Sequence, residues 1–438
     1  MRGLVIAAPQ SGSGKTVVTL GLLRHLRKRG LRVAAAKAGP DYIDPGYLGA
    51  ACGVSCRNLD PWAMRRATLA AEIHALRDDG EIVLCEGVMG LFDGAGDEGR
   101  GSTAELAALT GWPVILVVNL EGQAHSVAAL VEGFARHRRD VTVAGVIFNR
   151  TGGERHVALA ASALHRGLPG MKLLGAVPRS TGLDLPSRHL GLVPAGEHAA
   201  LEAFLDHAAG LVGPALDFDA LMNLARPSTL VAEACALVLP PLGARIAVAR
   251  DPSFVFTYET LLQGWRAAGA RLDFFSPLAD EPPAADCDAV YLPGGYPELF
   301  AARIAGSRVF MDGLHDAARR GAVIYGECGG YMVLGRSLVD AAGTAHRMAG
   351  LLPLDTSFAA RKLHLGYRTM SLAAKTPLGA RGQAFRGHEF HYASILAEGD
   401  GEPLFRVTDA DGASLGLAGR IAGTVMGSFV HLIDRAAP

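Results

Sequence analysis

Residues 1–207 carry a strict rhythm in which short apolar runs alternate with longer amphipathic stretches. The runs are LVIAAP (4–9), RVAAAK (32–37), EIVLCE (81–86), PVILVVN (113–119), VAGVIFN (143–149) and LLGAVP (173–178). They are apolar at nearly every position, not at alternate ones, so both faces of each strand are buried. The segments between them, such as TVVTLGLLRHLRKRG, repeat their apolar residues at helical spacing, and this one stops on Gly30. That combination predicts a doubly wound α/β domain, a parallel sheet with helices on both faces.

The rhythm loosens between 208 and 242, where prolines and glycines gather, and then resumes. RIAVAR (245–250), RLDFFSP, AVYLPGG (289–295) and AVIYGE read as strands, with helices around YETLLQGWRAAG and FMDGLHDAARRG; GHEFHYAS and AGTVMGSFVHL are strand-like. At 438 residues the chain is long for one core. The expected organisation is a synthetase domain over 1–207, a linker over 208–242 and a second doubly wound α/β domain over 243–438.

Charge narrows the partners. Lys plus Arg number 42 against 43 Asp plus Glu, so no net field favours nucleic acid or an anionic membrane, and small-molecule substrates are expected. No apolar run reaches the length of a membrane span, and LVIAAP is too short for a signal core. The six cysteines are too sparse for a disulfide framework, and no second pair completes a zinc pattern with Cys52 and Cys56. A cytoplasmic protein is expected, with a homodimer as one assembly left open.

The first motif is SGSGKT, at the handover from a strand to a helix. Backbone amides of Ser11, Gly12, Ser13 and Gly14 suit a phosphate cradle, Lys15 neutralises phosphate charge and Thr16 suits Mg²⁺. The loop is a variant, since Pro9 stands where the usual motif opens on glycine. KAGPDYIDP adds Lys37, Asp41 and Asp44, and Glu86 closes an apolar run as a metal-binding acid does in many NTPases. Thr16, Asp41 and Glu86 form the expected Mg²⁺ set, with ATP as the nucleotide and Asn149 a candidate for the adenine edge. Singly, each acid also suits a helix cap, and Asn149 a plain turn.

The second motif is GAVIYGECGGYMVLG (321–335). A thiol between glycines at a strand end has room for a substrate to approach, which marks Cys328 as a nucleophile. Gly294 and Gly295 in LPGGYPE, together with Gly329, are candidate oxyanion donors, and His431 in GSFVHL is the candidate base. GHEFHYA is not HExxH, and substrate contact or packing suits His388 and His391 better than zinc.

A nucleotide site joined to a thiol hydrolase suits amide formation: ATP activates a carboxylate as an acyl phosphate, and the thiol releases ammonia from glutamine. YGECGGYMVLG, LPGGYPEL and GSFVHL resemble the class I glutamine amidotransferase domain, and the first half is similar to dethiobiotin synthetase-like ATPases. With APQSGSGKT, KAGPDYIDP, CEGVMGLFDG, SRHLGL and RGHEFHY all present, essentially the whole chain resembles the cobyrinic and hydrogenobyrinic acid a,c-diamide synthases. The tyrosine-bearing PGGYPE and HEFHY stretches set it apart from the cobyric acid synthases. The resemblance implies ATP-, Mg²⁺- and glutamine-dependent amidation of two acetate side chains of a corrin. It also implies that Lys37, Asp44 and Asp93 lie near the reacting carboxylate or phosphate, with Arg188 and His189 meeting the acidic periphery of the ring. Many amidotransferases carry a glutamate two residues beyond the histidine; here that residue is Ile433. The alternatives are amidation of another tetrapyrrole, such as a nickel sirohydrochlorin, and a partitioning-type ATPase with a binding module.

Overall fold

A computed structural model describes residues 1–188, 191–231 and 237–436. They fall into two compact units, residues 1–62 with 66–235 and residues 63–65 with 236–438.

In the first unit, β1 (Arg2–Ala7), β2 (Val33–Ala38), β3 (Arg57–Leu59), β4 (Ile82–Glu86), β5 (Val114–Asn119), β6 (Val143–Thr151) and β7 (Lys172–Pro178) form one sheet. Its order is β3-β2-β4-β1-β5-β6-β7, and every neighbouring pair along this path is parallel. β1 is flanked on both sides, so the chain leaves its carboxyl end into the crevice where such sheets bind ligands. A short antiparallel pair, β8 (Ser187–Arg188) and β9 (Gly191–Leu192), stands apart, and β10 (Arg226–Pro227) runs antiparallel on β1.

The loosened stretch from 208 is not all linker. It holds the end of the helix Leu201–Ala215 and the whole helix Phe218–Leu224, both within the first unit. Gly210, Gly213 and Pro214 suggest a break, but Gly213 serves packing: a Cβ there would lie 2.2 Å from the His25 ring. The helix Lys15–Lys28 approaches so closely that a Cβ on its Gly21 would lie 2.8 Å from the Ala208 carbonyl. His25 stacks on Phe218 at 4.4 Å, and Arg24 pairs with Glu202 and Asp206. Pro214 sits in the last turn of the longer helix.

The second unit opens with β11 (Arg245–Ala249), β12 (Arg271–Phe275), β13 (Ala289–Leu292) and β14 (Val323–Glu327). β15 (Ser337–Val339), β16 (Ala345–Arg347) and β17 (Leu354–Ser357) follow, then β18 (His364–Leu372), β19 (Ala384–His391), β20 (Ser394–Glu398), β21 (Glu402–Thr408), β22 (Ser414–Ala422), β23 (Val425–Ser428) and β24 (Val430–Arg435). The main sheet runs β12-β11-β13-β14-β23-β22-β21-β18-β19-β24, and β16-β15-β17-β20 form a smaller one. The main sheet is parallel from β12 to β23 and antiparallel beyond. Val290, Leu292, Ile324, Tyr331 and Leu334 anchor the core beneath the end of β14.

Substitution Gly213→Leu is expected to lower stability by about 1–3 kcal/mol, since the added side chain must displace the His25 ring. Gly210→Ala, on the same helix with nothing within 4 Å of the new Cβ, is expected to raise it by about 0.5–1 kcal/mol. Thermal unfolding of the two variants beside the parent checks the opposite signs.

Two candidate active sites, one in each unit

In the first unit, Gly12 and Gly14 take φ of 80° and 83°, a left-handed backbone that glycine adopts without strain. These bends carry the loop from β1 into the helix Lys15–Lys28, whose amino end faces the crevice. Asn149 at the end of β6 donates its Nδ2 to the Ser13 carbonyl at 2.8 Å, so in this structure its amide braces the loop backbone. A Cβ on Gly14 would fall 2.2 Å from that nitrogen.

Glu86 ends β4 fully buried, and its Oε1 accepts from Lys15 Nζ at 3.1 Å, Thr16 Oγ1 at 2.7 Å and Lys37 Nζ at 3.2 Å. Lys37 also donates to Asp44 Oδ2 at 2.5 Å. Burial alone would raise Glu86, but Lys37 and Lys15 outweigh it and hold the carboxyl well below its usual range. Burial alone would lower Lys37, yet Asp44 and Glu86 keep it charged well above the ordinary lysine value. Asp44 is pushed up by burial and by Asp41, against the pull of Lys37.

Glu86 Oε2 is buried with no hydrogen-bond partner, an arrangement costing about 1–3 kcal/mol unless a ligand completes it. A carboxylate oxygen of this kind beside the Thr16 hydroxyl fits a hard, oxygen-seeking cation. Asp41 lies less directly in the cluster: its Oδ1 accepts from the amides of Ile43 and Asp44, closing the turn that enters the helix Asp44–Cys52. Asp93 Oδ2 likewise accepts from the Gly90 amide across a turn.

In the second unit, Cys328 follows β14 directly and precedes the helix Gly329–Leu334. Its φ of 49° is a strained conformation for a residue with a side chain, held by its amide donating to the Ser428 carbonyl at 2.8 Å. Gly294 explains the neighbourhood: a Cβ there would stand 2.2 Å from His431 Cε1, 3.0 Å from Nε2 and 3.2 Å from Cys328 Cβ. The Cys328 Cβ and the imidazole therefore share the bare face of one glycine, and Cys328 Sγ donates toward the Phe390 carbonyl at 3.8 Å. Gly295 N lies 3.0 Å from the point a Gly329 Cβ would occupy, so the two candidate oxyanion turns are side by side.

Burial pushes the Cys328 thiol up strongly, with Glu298 adding to it, while burial drives His431 down to about 3. The resting pair is thus neutral thiol and neutral imidazole. His431 Nδ1 faces Glu327 Oε2 at 3.7 Å.

Residues 4–193 match the family model of the CobQ/CobB/MinD/ParA nucleotide binding domain, and residues 245–437 that of the CobB/CobQ-like glutamine amidotransferase domain. The chain is 56% identical to the hydrogenobyrinate a,c-diamide synthase of Brucella suis biovar 1 (strain 1330), with 99% of each chain covered. It is 55% identical to that of Rhizobium meliloti (strain 1021), again over 99% of each. With that of Mesorhizobium japonicum the identity is 50%, over 100% of this chain and 99% of the relative. The chain belongs to the hydrogenobyrinate a,c-diamide synthase family.

For a member of the hydrogenobyrinate a,c-diamide synthase family, the expected residues Lys15, Thr16, Lys37, Asp44 and Glu86 meet in one cluster, and Cys328, His431 and the glycines in another. Arg188 does not present a free cation: its guanidinium is bidentate on Glu197, at 3.0 and 2.5 Å. His189 lies outside the described residues. His388 and His391 point to opposite faces of β19, as their spacing predicts. His391 instead joins His364 and Glu389, with candidate ligand atoms within 4.8 Å of one another. Its Nδ1 contacts the Ala393 carbonyl and its Nε2 contacts Glu389, which Arg368 also holds. Reading from sequence passed over Glu327 altogether. The available signal was an acid closing an otherwise apolar strand, next to the nucleophile.

Gly294→Ala is expected to displace the His431 ring and slow alkylation of Cys328 by a small electrophile on the order of 10²-fold. Gly306→Ala, where nothing lies within 4 Å of the new Cβ, is the control expected to leave the rate unchanged; mass spectrometry of the labelled cysteine reads both.

Proposed function

We propose that this protein amidates the a and c acetate carboxylates of hydrogenobyrinic acid, a metal-free corrin, with ATP as activator and glutamine as nitrogen donor, in cobalamin biosynthesis. The observation that carries this is one chain, half or more identical to hydrogenobyrinate a,c-diamide synthases, holding both a phosphate loop wired to Glu86 and a thiol set against an imidazole. Residues 1–207 are the activating domain and 243–438 the glutaminase in this reading; the helices through Leu224 extend the first beyond 207.

The chain's own groups supply the steps. Loop amides and the helix amino end hold phosphate oxygens, and Lys15 turns from Glu86 to the charge of the transferring group. Thr16 and Glu86 would hold Mg²⁺, with Asp41 nearby, and the ion would neutralise phosphate charge during transfer. Lys37, held in place by Asp44, keeps Glu86 ionised. The substrate carboxylate becomes an acyl phosphate, which ammonia converts to the amide with loss of phosphate.

At the other centre the Cys328 thiol attacks the side-chain amide of glutamine. His431 Nε2 takes the thiol proton and passes it to the departing nitrogen, and water cleaves the resulting thioester. Amides of Gly294, Gly295 and Gly329 receive the developing oxyanion. Cys52, Cys56, Cys85, Cys287 and Cys328 are free thiols, which supports a reducing, cytoplasmic setting. No helix among the described residues is long and apolar enough to cross a membrane.

Incubation of the protein with hydrogenobyrinic or cobyrinic acid, ATP, Mg²⁺ and glutamine, followed by mass spectrometry, tests the assignment. Two added amides on the metal-free ring are expected; no amide on either ring would overturn it. Cys328→Ala is expected to abolish glutamine-driven amidation while ammonium-driven amidation persists, and loss of both in a folded variant would contradict separate chemistries. Lys15→Ala is expected to remove amidation by on the order of 10³-fold while glutamine hydrolysis partly survives.

A further inference from the structure

The carboxylate missing from the position two residues beyond His431 has a counterpart on another strand. Glu327 is the last residue of β14, directly before Cys328, and its Oε2 lies 3.7 Å from His431 Nδ1. We propose that Glu327 is the positioning residue of the glutaminase centre, orienting His431 through Nδ1 and balancing the charge the imidazole acquires when it takes the Cys328 proton. The inference rests on the reading of Cys328 as nucleophile and His431 as base.

The first support is alignment. Cε1 and Nε2 of His431 and the Cβ of Cys328 border the same bare face of Gly294, whereas Nδ1 faces Glu327, so the carboxylate meets the edge of the ring away from Gly294. At 3.7 Å the carboxylate stands just short of a hydrogen bond, as catalytic pairs do in ligand-free sites that tighten around substrate.

The second support is that the carboxylate is fixed. Tyr291 on β13 donates its hydroxyl to Oε2 at 2.8 Å, Tyr325 on β14 donates to Oε1 at 2.9 Å, and the Leu432 amide donates to Oε1 at 3.1 Å. Leu432 is the residue after His431, so the same acid that faces the imidazole also holds the backbone beside it.

The third support is charge. Burial raises Glu327 to about 7, with the Leu432 amide and both tyrosines opposing it, and lowers His431 to about 3. Among the groups acting on His431 are His388, its cross-strand partner on β19, and His391 and Glu389 farther along that strand. His388 and His391 both disfavour an imidazolium, and Glu298 acts on the thiol. Glu327 is the acid that faces the ring nitrogen. In the step, the S–H bond breaks as sulfur bonds the amide carbon and the proton moves to Nε2. The same proton then leaves on ammonia as the C–N bond breaks, and Glu327 gains none.

Steady-state glutamine hydrolysis by the full chain, followed across the neutral pH range, tests this. Glu327→Gln is expected to lower kcat on the order of 10²-fold with KM for glutamine nearly unchanged, and to erase the acid limb of the pH profile. Tyr325→Phe removes a donor that favours the carboxylate, so Glu327 titrates higher and the acid limb moves to higher pH with activity retained above it. Wild-type kcat and an unaltered profile in Glu327→Gln would overturn the proposal. Should that variant fail to fold, as judged by its thermal transition, an unmoved limb in Tyr325→Phe would overturn it instead. Cys328→Ser separates the two levels: retained hydrolysis there would defeat the underlying reading, whereas a dead Cys328→Ser beside an unaffected Glu327→Gln would defeat this inference alone.

Discussion

A strand with hydrogen-bonded neighbours on both sides must send its chain over the end of the sheet, and each candidate centre is built on that constraint. β1 lies between β4 and β5, and β14 between β13 and β23. The residues leaving these strands have to bend at once, and the bend exposes backbone amides and a first side chain to the crevice. Gly12 and Gly14 make the bend in the first unit at no steric cost. In the second, Cys328 makes it with a side chain attached, and the strain is held by the Ser428 carbonyl on the neighbouring strand.

The two centres then diverge in how they treat a buried glutamate. Glu86 and Glu327 both close a strand and both are nearly inaccessible, yet one titrates far below the ordinary value and the other near neutrality. The difference lies in their partners. Glu86 is held by two ammonium groups, whose charge more than repays desolvation; Glu327 is held by two phenols and an amide, which are only dipoles. A site for triphosphate and metal must stay ionised at every working pH. A centre that moves one proton instead sets a thiol and an imidazole that are neutral at rest beside an acid poised near neutrality.

Much of this was legible in the sequence, because parallel strands buried on both faces and glycine-bracketed turns leave local marks. SGSGKT, Glu86 and Cys328 each sit where a run ends, and the structure finds them there. The sequence suggests Asn149 for an adenine edge and Arg188 for the substrate; in the structure Asn149 donates to the Ser13 carbonyl and Arg188 to Glu197, contacts that leave no local mark in the sequence. Within the loosened stretch from 208, helix continues to Ala215 and again over Phe218–Leu224, and Gly213 leaves the space that the His25 ring fills. Glu327 is not legible from the usual spacing after the histidine, because the acid comes from the strand that delivers the nucleophile.

That strand makes the economy of the second centre intelligible. Side chains alternate along β14, so Tyr325 and Glu327 share a face, and the hydroxyl of one meets the carboxylate of the other at 2.9 Å. Cys328 would belong to the opposite face, but its left-handed backbone turns the chain out of the sheet. Four consecutive residues, Tyr325 to Cys328, thereby supply an orienting donor, an acid and a thiol, and Gly326 between them is needed because a Cβ there would lie 2.8 Å from the backbone of Gly330. With the acid provided from β14, the position two beyond His431 is released from chemistry. Ile433 occupies it as a buried apolar residue, which is the choice packing alone would make.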